Sequence, residues 1–142
     1  EYNCRFGDPE TQVVLPMLKT DLLDIMEAVE AEALNDLPIY WKEGACACVI
    51  LASGGYPEKY ETGKEITGLD EKGQTANALV YHAGTKLEGD KFLTAGGRVL
   101  GITASGANLR EALDAAYSAA ETVSFAGVHY RKDIGKRALA AK

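Results

Sequence analysis

Leu109, Ala112, Leu113, Ala116, Tyr117 and Ala120 recur at three- and four-residue intervals, the period that gathers side chains on one side of a helix. Such a helix cannot hide its own apolar side, so something broad and apolar must cover it. Asn108 and Glu111 open it with the spacing of a capping box, although Asn is less usual there than Ser or Thr. The candidates for the cover are strands. Residues 46–52 form an apolar, partly β-branched run that suits a well-buried strand, and Ser53-Gly54-Gly55-Tyr56-Pro57 breaks it. Residues 78–83, 92–94 and 99–103 read as three more strands, the last two separated by Gly96-Gly97, and 128–130 as a short final one. Residues 58–78 are polar and glycine-punctuated, a loop or hairpin around Ile66 and Gly73, and 134–141 suits a terminal helix. Hairpin-like connections between strands, with one long amphipathic helix, predict an α+β fold: a mainly antiparallel sheet packed with that helix.

The organisation changes near Leu37-Pro38, which divides the chain into 1–37 and 38–142. Residues 1–7 alternate like an extended strand running into a turn at Gly7. Asp8 is placed to cap a short helix with Pro9 at its first position, and Pro16 should end or kink it. Thr20 is expected to cap a second helix whose Leu22, Leu23, Ile25, Met26 and Val29 follow the spacing of a buried stripe. Asp24, Glu27, Glu30 and Glu32 fall largely away from that stripe, on a solvated face. Tyr40 and Trp41, beside Pro38, are expected to anchor the junction by packing.

A chain of 142 residues with net charge −6 is long enough for an ordinary core and is a poor candidate for a nucleic-acid surface. A local cluster of cations and backbone N–H groups can still bind an anion against that net charge. No apolar run approaches the roughly 20 residues needed to cross a bilayer, and no secretory signal pattern opens the sequence. The first residue is not Met, and Glu1-Tyr2-Asn3 reads as mid-strand sequence, so a fragment of a longer, cytoplasmic protein is expected. Three cysteines without a secretion signal read as reduced thiols. Cys46 and Cys48 share one strand face, and Cys4, His82 and His129 would complete a zinc set, but C-x-C is not a recognised finger spacing. Small buried core residues explain the two strand cysteines better. His82 suits a hydrogen-bonded structural role, and Arg131, Lys132, Lys136 and Arg137 suit a solvated charge run.

The strongest chemical signal lies in EYNCRFGDPE at positions 1–10. On an extended strand Glu1, Asn3 and Arg5 share a face. Mg²⁺ takes oxygen ligands and leaves coordination sites for water and nucleotide phosphate. A Glu and an Asn two residues apart supply such ligands, and Arg5 suits a phosphate or carboxylate. A polar edge strand followed by a capped helix explains the same pattern without a ligand. The run EYNCRFGDPETQVVLPML resembles the segment that closes the ATP-grasp domain in the glycinamide ribonucleotide synthetase (phosphoribosylamine–glycine ligase) family. LASGGYPEKYETGKEITGL, VYHAGTKLEGDKFLTAGGRVLGITASG, LREALDAAY and FAGVHYRKDIGKRAL resemble successive blocks of that family's C-terminal domain.

The resemblance implies that 1–37 is the end of an ATP-grasp domain and 38–142 a C-terminal domain. It implies Mg²⁺ or Mn²⁺ held by Glu1 and Asn3, ATP as co-substrate, and Arg5 as a catalytic residue near the substrate or the transferring phosphate. Gly97 and Arg98 are the expected substrate contacts on the active-site side, Arg98 toward a ribose phosphate; a turn whose Arg98 binds a carboxylate of the fold is the plainer alternative. The implied reaction joins glycine to 5-phosphoribosylamine through an acyl phosphate, in a monomer whose partners are small molecules. A different ATP-grasp ligase, a biotin-carboxylase relative and a non-enzymatic interaction module are the competing readings.

Overall fold

The computed structural model describes residues 4–141. The helices are α1 (Thr11–Met17), α2 (Leu22–Glu30), α3 (Leu109–Thr122) and α4 (Lys136–Ala140), with a 3₁₀ turn at Leu34–Asp36. The strands are β1 (Ala45–Ala52), β2 (Leu79–His82), β3 (Thr85–Glu88), β4 (Lys91–Thr94) and β5 (Arg98–Gly106). β5 is the middle strand of an antiparallel sheet in the order β1-β5-β2, and β3 and β4 form a separate hairpin. The fold is α+β with antiparallel sheets, as the patterning predicts.

The register explains the core. Val49 and Val80 flank Ile102, and Leu51 lies opposite Leu100, so large side chains of all three strands share one face. α3 lies on that face through buried Ala112, Leu113, Ala116, Ala119 and Ala120. Four of these five are alanine, which lets the helix axis approach the sheet closely. Gly106 completes the approach, since a Cβ there would stand 2.6 Å from the backbone nitrogen of Ala112. Asn108 caps α3 as the spacing predicts: its Oδ1 accepts from Glu111 N at 3.1 Å, while Glu111 Oε2 accepts from Ala107 N at 3.2 Å. Gln74 covers the β2 edge, its Nε2 donating to Val80 O at 3.0 Å and its Oε1 accepting from Val80 N at 2.9 Å. The amide therefore stands in for a neighbouring strand. The second face of the sheet carries Cys48, Gly101 and Tyr81, and α1 crosses it at β1.

Several expectations are corrected. The strand expected at 1–5 lies partly outside the described residues, and Cys4 and Arg5 form a bend. α1 starts later than expected, after Glu10, with no side-chain cap, because the Asp8 carboxylate faces Gln12 and Arg98 instead. Pro16 does end this helix, which stops at Met17. Asp21 rather than Thr20 caps α2, accepting from Leu23 N at 2.8 Å. The Thr20 hydroxyl is engaged across the junction, accepting from Tyr40 N at 2.7 Å.

The α2 stripe is not buried by the described residues: Leu23, Met26 and Val29 are 60%, 54% and 55% exposed. The helix packs little beyond the adjacent 3₁₀ turn. Tyr40 and Trp41 are also exposed; their backbones make the junction, through Lys19 N to Tyr40 O at 2.9 Å and the Leu18–Trp41 pairing. β3 was not expected, since Thr85–Glu88 is largely exposed and lacks an apolar alternation. The final strand near 128–130 shrinks to one reciprocal pair of bonds between His129 and Ala52. Cys46 and Cys48 are half-buried rather than core residues, and all three cysteines are free. No helix among the described residues is long and apolar enough to cross a membrane.

Candidate functional site

The chain leaves β1 through Ser53-Gly54-Gly55-Tyr56-Pro57 and enters β5 through Gly96-Gly97-Arg98, and the antiparallel pairing places these two turns side by side. Buried Ser53 staples them: its backbone N donates to Gly97 O at 2.8 Å and its hydroxyl to Gly96 O at 2.8 Å. From the other side Ala95 N donates to Gly84 O at 2.7 Å, and Gly84 N to Arg98 O at 2.9 Å. A Cβ on Gly84 would stand 2.7 Å from Gly96 Cα, so the two backbones touch where only glycine fits. The Tyr56 ring lies against Gly97 so closely that a Cβ there would fall 2.2 Å from Cδ2. What approaches these glycines is therefore the protein itself, and the result is a rigid base for the side chain of Arg98.

Arg98 reaches back across the sequence to Asp8. Its Nη1 donates to Asp8 O at 3.0 Å and its Nη2 stands 3.0 Å from Asp8 Oδ2. Asp8 Oδ1 accepts from Gln12 Nε2 at 2.7 Å, which ties the carboxylate to α1. Arg5, three residues before Asp8, is exposed and donates from Nη1 to Phe6 O at 3.2 Å. Gly97 and Arg98 are thus brought beside the segment that carries Arg5. Glu1 and Asn3 lie outside the described residues.

Asp8 is the member of this constellation that patterning did not single out as more than a turn or cap residue. Its partner is 90 positions away, and no local spacing announces such a pair. Ser53 is legible in the sequence only as part of the break after residues 46–52, and its work of stapling two turns is equally non-local.

Other polar groups have structural partners. His82 Nε2 lies 2.9 Å from Gly73 O and Nδ1 lies 2.9 Å from Thr85 Oγ1, with the ring 5.1 Å from that of Phe92. Arg131 forks onto Asp133 with two 2.9 Å bonds; the guanidinium holds that exposed carboxyl below its usual range. Among the described residues no three His, Cys, Asp or Glu side chains gather as a metal-binding group. An open groove of about 760 Å³ runs between Leu15 and Pro16 of α1, Tyr81 and Thr103. Burial pushes the Cys48 thiol and the Tyr81 hydroxyl up on this side of the sheet. Arg5, Gly97 and Arg98 do not line the groove.

Comparison with known proteins follows the same lines. Residues 46–137 match the family described as phosphoribosylglycinamide synthetase, C domain. A phosphoribosylamine–glycine ligase of Chlorobaculum tepidum is 51% identical over 98% of this chain, and one of Synechocystis is 50% identical over 98%. In both cases the match covers 33% of the relative, so the chain spans about a third of the length of these proteins. A trifunctional purine biosynthetic protein of Gallus gallus is 48% identical over 99% of the chain and 14% of its own length. The crystal structure of a phosphoribosylamine–glycine ligase from Thermotoga maritima superposes with a TM-score of 0.73 at 36% identity, over 94% of this chain and 32% of that one. With its sheet, its capped α3 and its ordered glycine turns all falling in the matched region, this chain belongs to the phosphoribosylglycinamide synthetase C-domain family.

Proposed function

We propose that this chain is the C-terminal part of an ATP-dependent ligase that joins glycine to 5-phosphoribosylamine to give glycinamide ribonucleotide. The observation that carries the reading is half-identity over almost the whole chain to proteins named phosphoribosylamine–glycine ligase. On this reading a carboxylate oxygen of glycine bonds to the γ-phosphorus of ATP as the bond to ADP breaks. The amine nitrogen of phosphoribosylamine then bonds to the acyl carbon, and inorganic phosphate and a proton leave. Residues 1–37 would close an ATP-grasp domain, and 38–142 would flank the phosphoribosylamine pocket.

Glu1 and Asn3 would hold Mg²⁺ or Mn²⁺, hard cations suited to their oxygen donors; the bound ion would neutralise charge on the ATP phosphates. Arg5 would meet the transferring phosphate or the glycine carboxylate, where a guanidinium stabilises developing negative charge. Gly97 and Arg98 would border the phosphoribosylamine site. Arg98 keeps Nε without a partner among the described residues, a donor suited to a ribose phosphate. The exposed stripe of α2 and the rings of Tyr40 and Trp41 would be covered by the remainder of the ATP-grasp domain. The enzyme would work as a cytoplasmic monomer on small-molecule partners alone, without nucleic acid or membrane.

The test is to express the complete reading frame that encodes this chain and assay it with ATP, glycine and phosphoribosylamine. Formation of ADP dependent on both other substrates is expected, and Glu1→Ala should abolish it while leaving the fold intact. ADP formation indifferent to phosphoribosylamine would refute the substrate assignment. The 142-residue chain alone should fold without turning over, and micromolar MgATP binding to it in calorimetry would overturn that expectation.

A further inference from the structure

Residues 4–10 run into α1 and receive their long-range polar contacts, among the described residues, from one side chain. Among the described residues their only long-range hydrogen bonds and ion pairs come from Arg98; the other bonds of this segment run to its own neighbours or into α1. The two sides of this contact are unequal. Arg98 rises from a turn locked by Ser53, Gly84 and the Tyr56 ring. Its planar guanidinium takes two acceptors of the same residue, a carbonyl and a carboxylate, which fixes the direction of the fork as a single ion pair would not. Asp8 in turn has its second carboxylate oxygen held by Gln12, so the carboxylate cannot rotate freely. Arg5 lies three residues upstream on the same short segment.

We propose that Asp8 is a positioning residue: it seats the Arg98 guanidinium and thereby fixes the segment bearing Arg5 against the Gly96-Gly97-Arg98 turn, without touching a ligand itself. The geometric half of this statement stands on the contacts alone. The consequence for chemistry rests on the ligase reading, in which the two turns border one site. A side chain held in place loses no freedom when its target arrives, and misplacement of a charged group by about 1 Å is enough to cost on the order of a hundredfold in rate. Asp8 would thus act twice, aiming Arg98 and anchoring the segment of Arg5.

The geometric half is tested on the chain itself by amide exchange at Thr11, whose N donates to Gly7 O at 2.9 Å. Asp8→Ala and Arg98→Ala should each speed that exchange about tenfold, and the double variant should be no faster than the faster single, as for one shared interaction. Asp8→Asn, which keeps the shape and loses the charge, should move exchange in the same direction by less. Unchanged exchange in either alanine variant, or effects that multiply in the double, would overturn the clasp.

The chemical half is tested on the complete reading frame in the ligase assay. Asp8→Ala should lower kcat at least tenfold while KM for ATP stays within about twofold. Asp8→Glu, which keeps a carboxylate for the Arg98 guanidinium, should recover severalfold over Asp8→Ala, whereas Asp8→Leu should not. Normal kcat in Asp8→Ala, or no recovery in Asp8→Glu, would sink it. If the unsubstituted protein shows no ligase activity, the functional reading fails, and the amide-exchange cycle still decides the clasp.

Discussion

Gly97→Ala isolates one contact. The φ of Gly97 is not in the left-handed region, so its backbone tolerates a side chain and the nearest obstacle is the Tyr56 ring. An added Cβ would stand 2.2 Å from Cδ2, 2.7 Å from Cε2 and 3.1 Å from Cγ, whereas ordinary contact begins at 3.4 Å. The ring edge must therefore retreat by about 1.2 Å, the gap between the first and last of these distances. It cannot do so by a small backbone adjustment, because Tyr56 N donates to Ser53 O at 3.0 Å, Gly55 before it has φ +95°, and Pro57 follows. Overpacking of this kind costs about 1–3 kcal/mol.

Tyr56 is 36% exposed, so Tyr56→Ala should lose about 2–3 kcal/mol, less than a fully buried aromatic. In that background the added methyl meets open space, and Gly97→Ala should cost less than about 0.5 kcal/mol or even stabilise by restricting the unfolded chain. Urea unfolding of the four proteins, followed by circular dichroism and extrapolated linearly, should therefore give a coupling of about 1–2.5 kcal/mol between the two sites. An equal cost of Gly97→Ala in both backgrounds, within about 0.5 kcal/mol, would refute the steric account.

Leu100→Ala removes a fully buried side chain from the row opposite Leu51 and should cost about 3–5 kcal/mol by urea unfolding. Asn108→Ala removes the cap of α3 and should cost about 0.5–2 kcal/mol, with Asn108→Ser recovering most of it. Burial, the leading cause, raises the Cys48 thiol above its ordinary value of 9.0. A raised folded value favours the neutral thiol, so its contribution is fully present below pH 9.0 and is lost as pH rises through the folded value. The urea midpoint should fall above that pH more steeply in the parent chain than in Cys48→Ala, and a thiol reagent at neutral pH should label exposed Cys4 well before Cys48.

The parts of the fold that patterning exposed are those whose partners are close by or whose two faces are both apolar. The run at 46–52 reveals β1 because every position is buried or half-buried, and the stripe from Leu109 to Ala120 reveals α3 because one face of the helix is buried at regular intervals. Asn108 and Glu111 are legible for a simpler reason, since cap and capped group are three residues apart. β3 escapes notice because an exposed hairpin strand is held by backbone bonds to β4, which any residue can make. Patterning misjudges Leu23, Met26 and Val29 in the opposite sense. Their periodicity reports that a surface is to be covered but not by what. In the candidate site Gly97 and Arg98 are visible as residue types, while the Arg98–Asp8 and Ser53–Gly96 contacts are set by strand register. Periodicity does not encode register over such separations.

The place of β5 at the centre of the sheet has a consequence for how the domain is made. On a ribosome β1 is the first strand synthesised, and it has no strand to pair with until residues 98–106 appear, when Leu51 at last meets Leu100. The capped helix that seals the same face follows at once, at Leu109–Thr122. Closure of the core therefore waits for the last third of the chain, and contacts so distant in sequence form slowly. During that interval ACACVILA is an unpaired edge open to association with other nascent chains. Truncation just short of β5 should leave a product that chaperones retain or that precipitates, whereas extension through α3 should release a soluble domain.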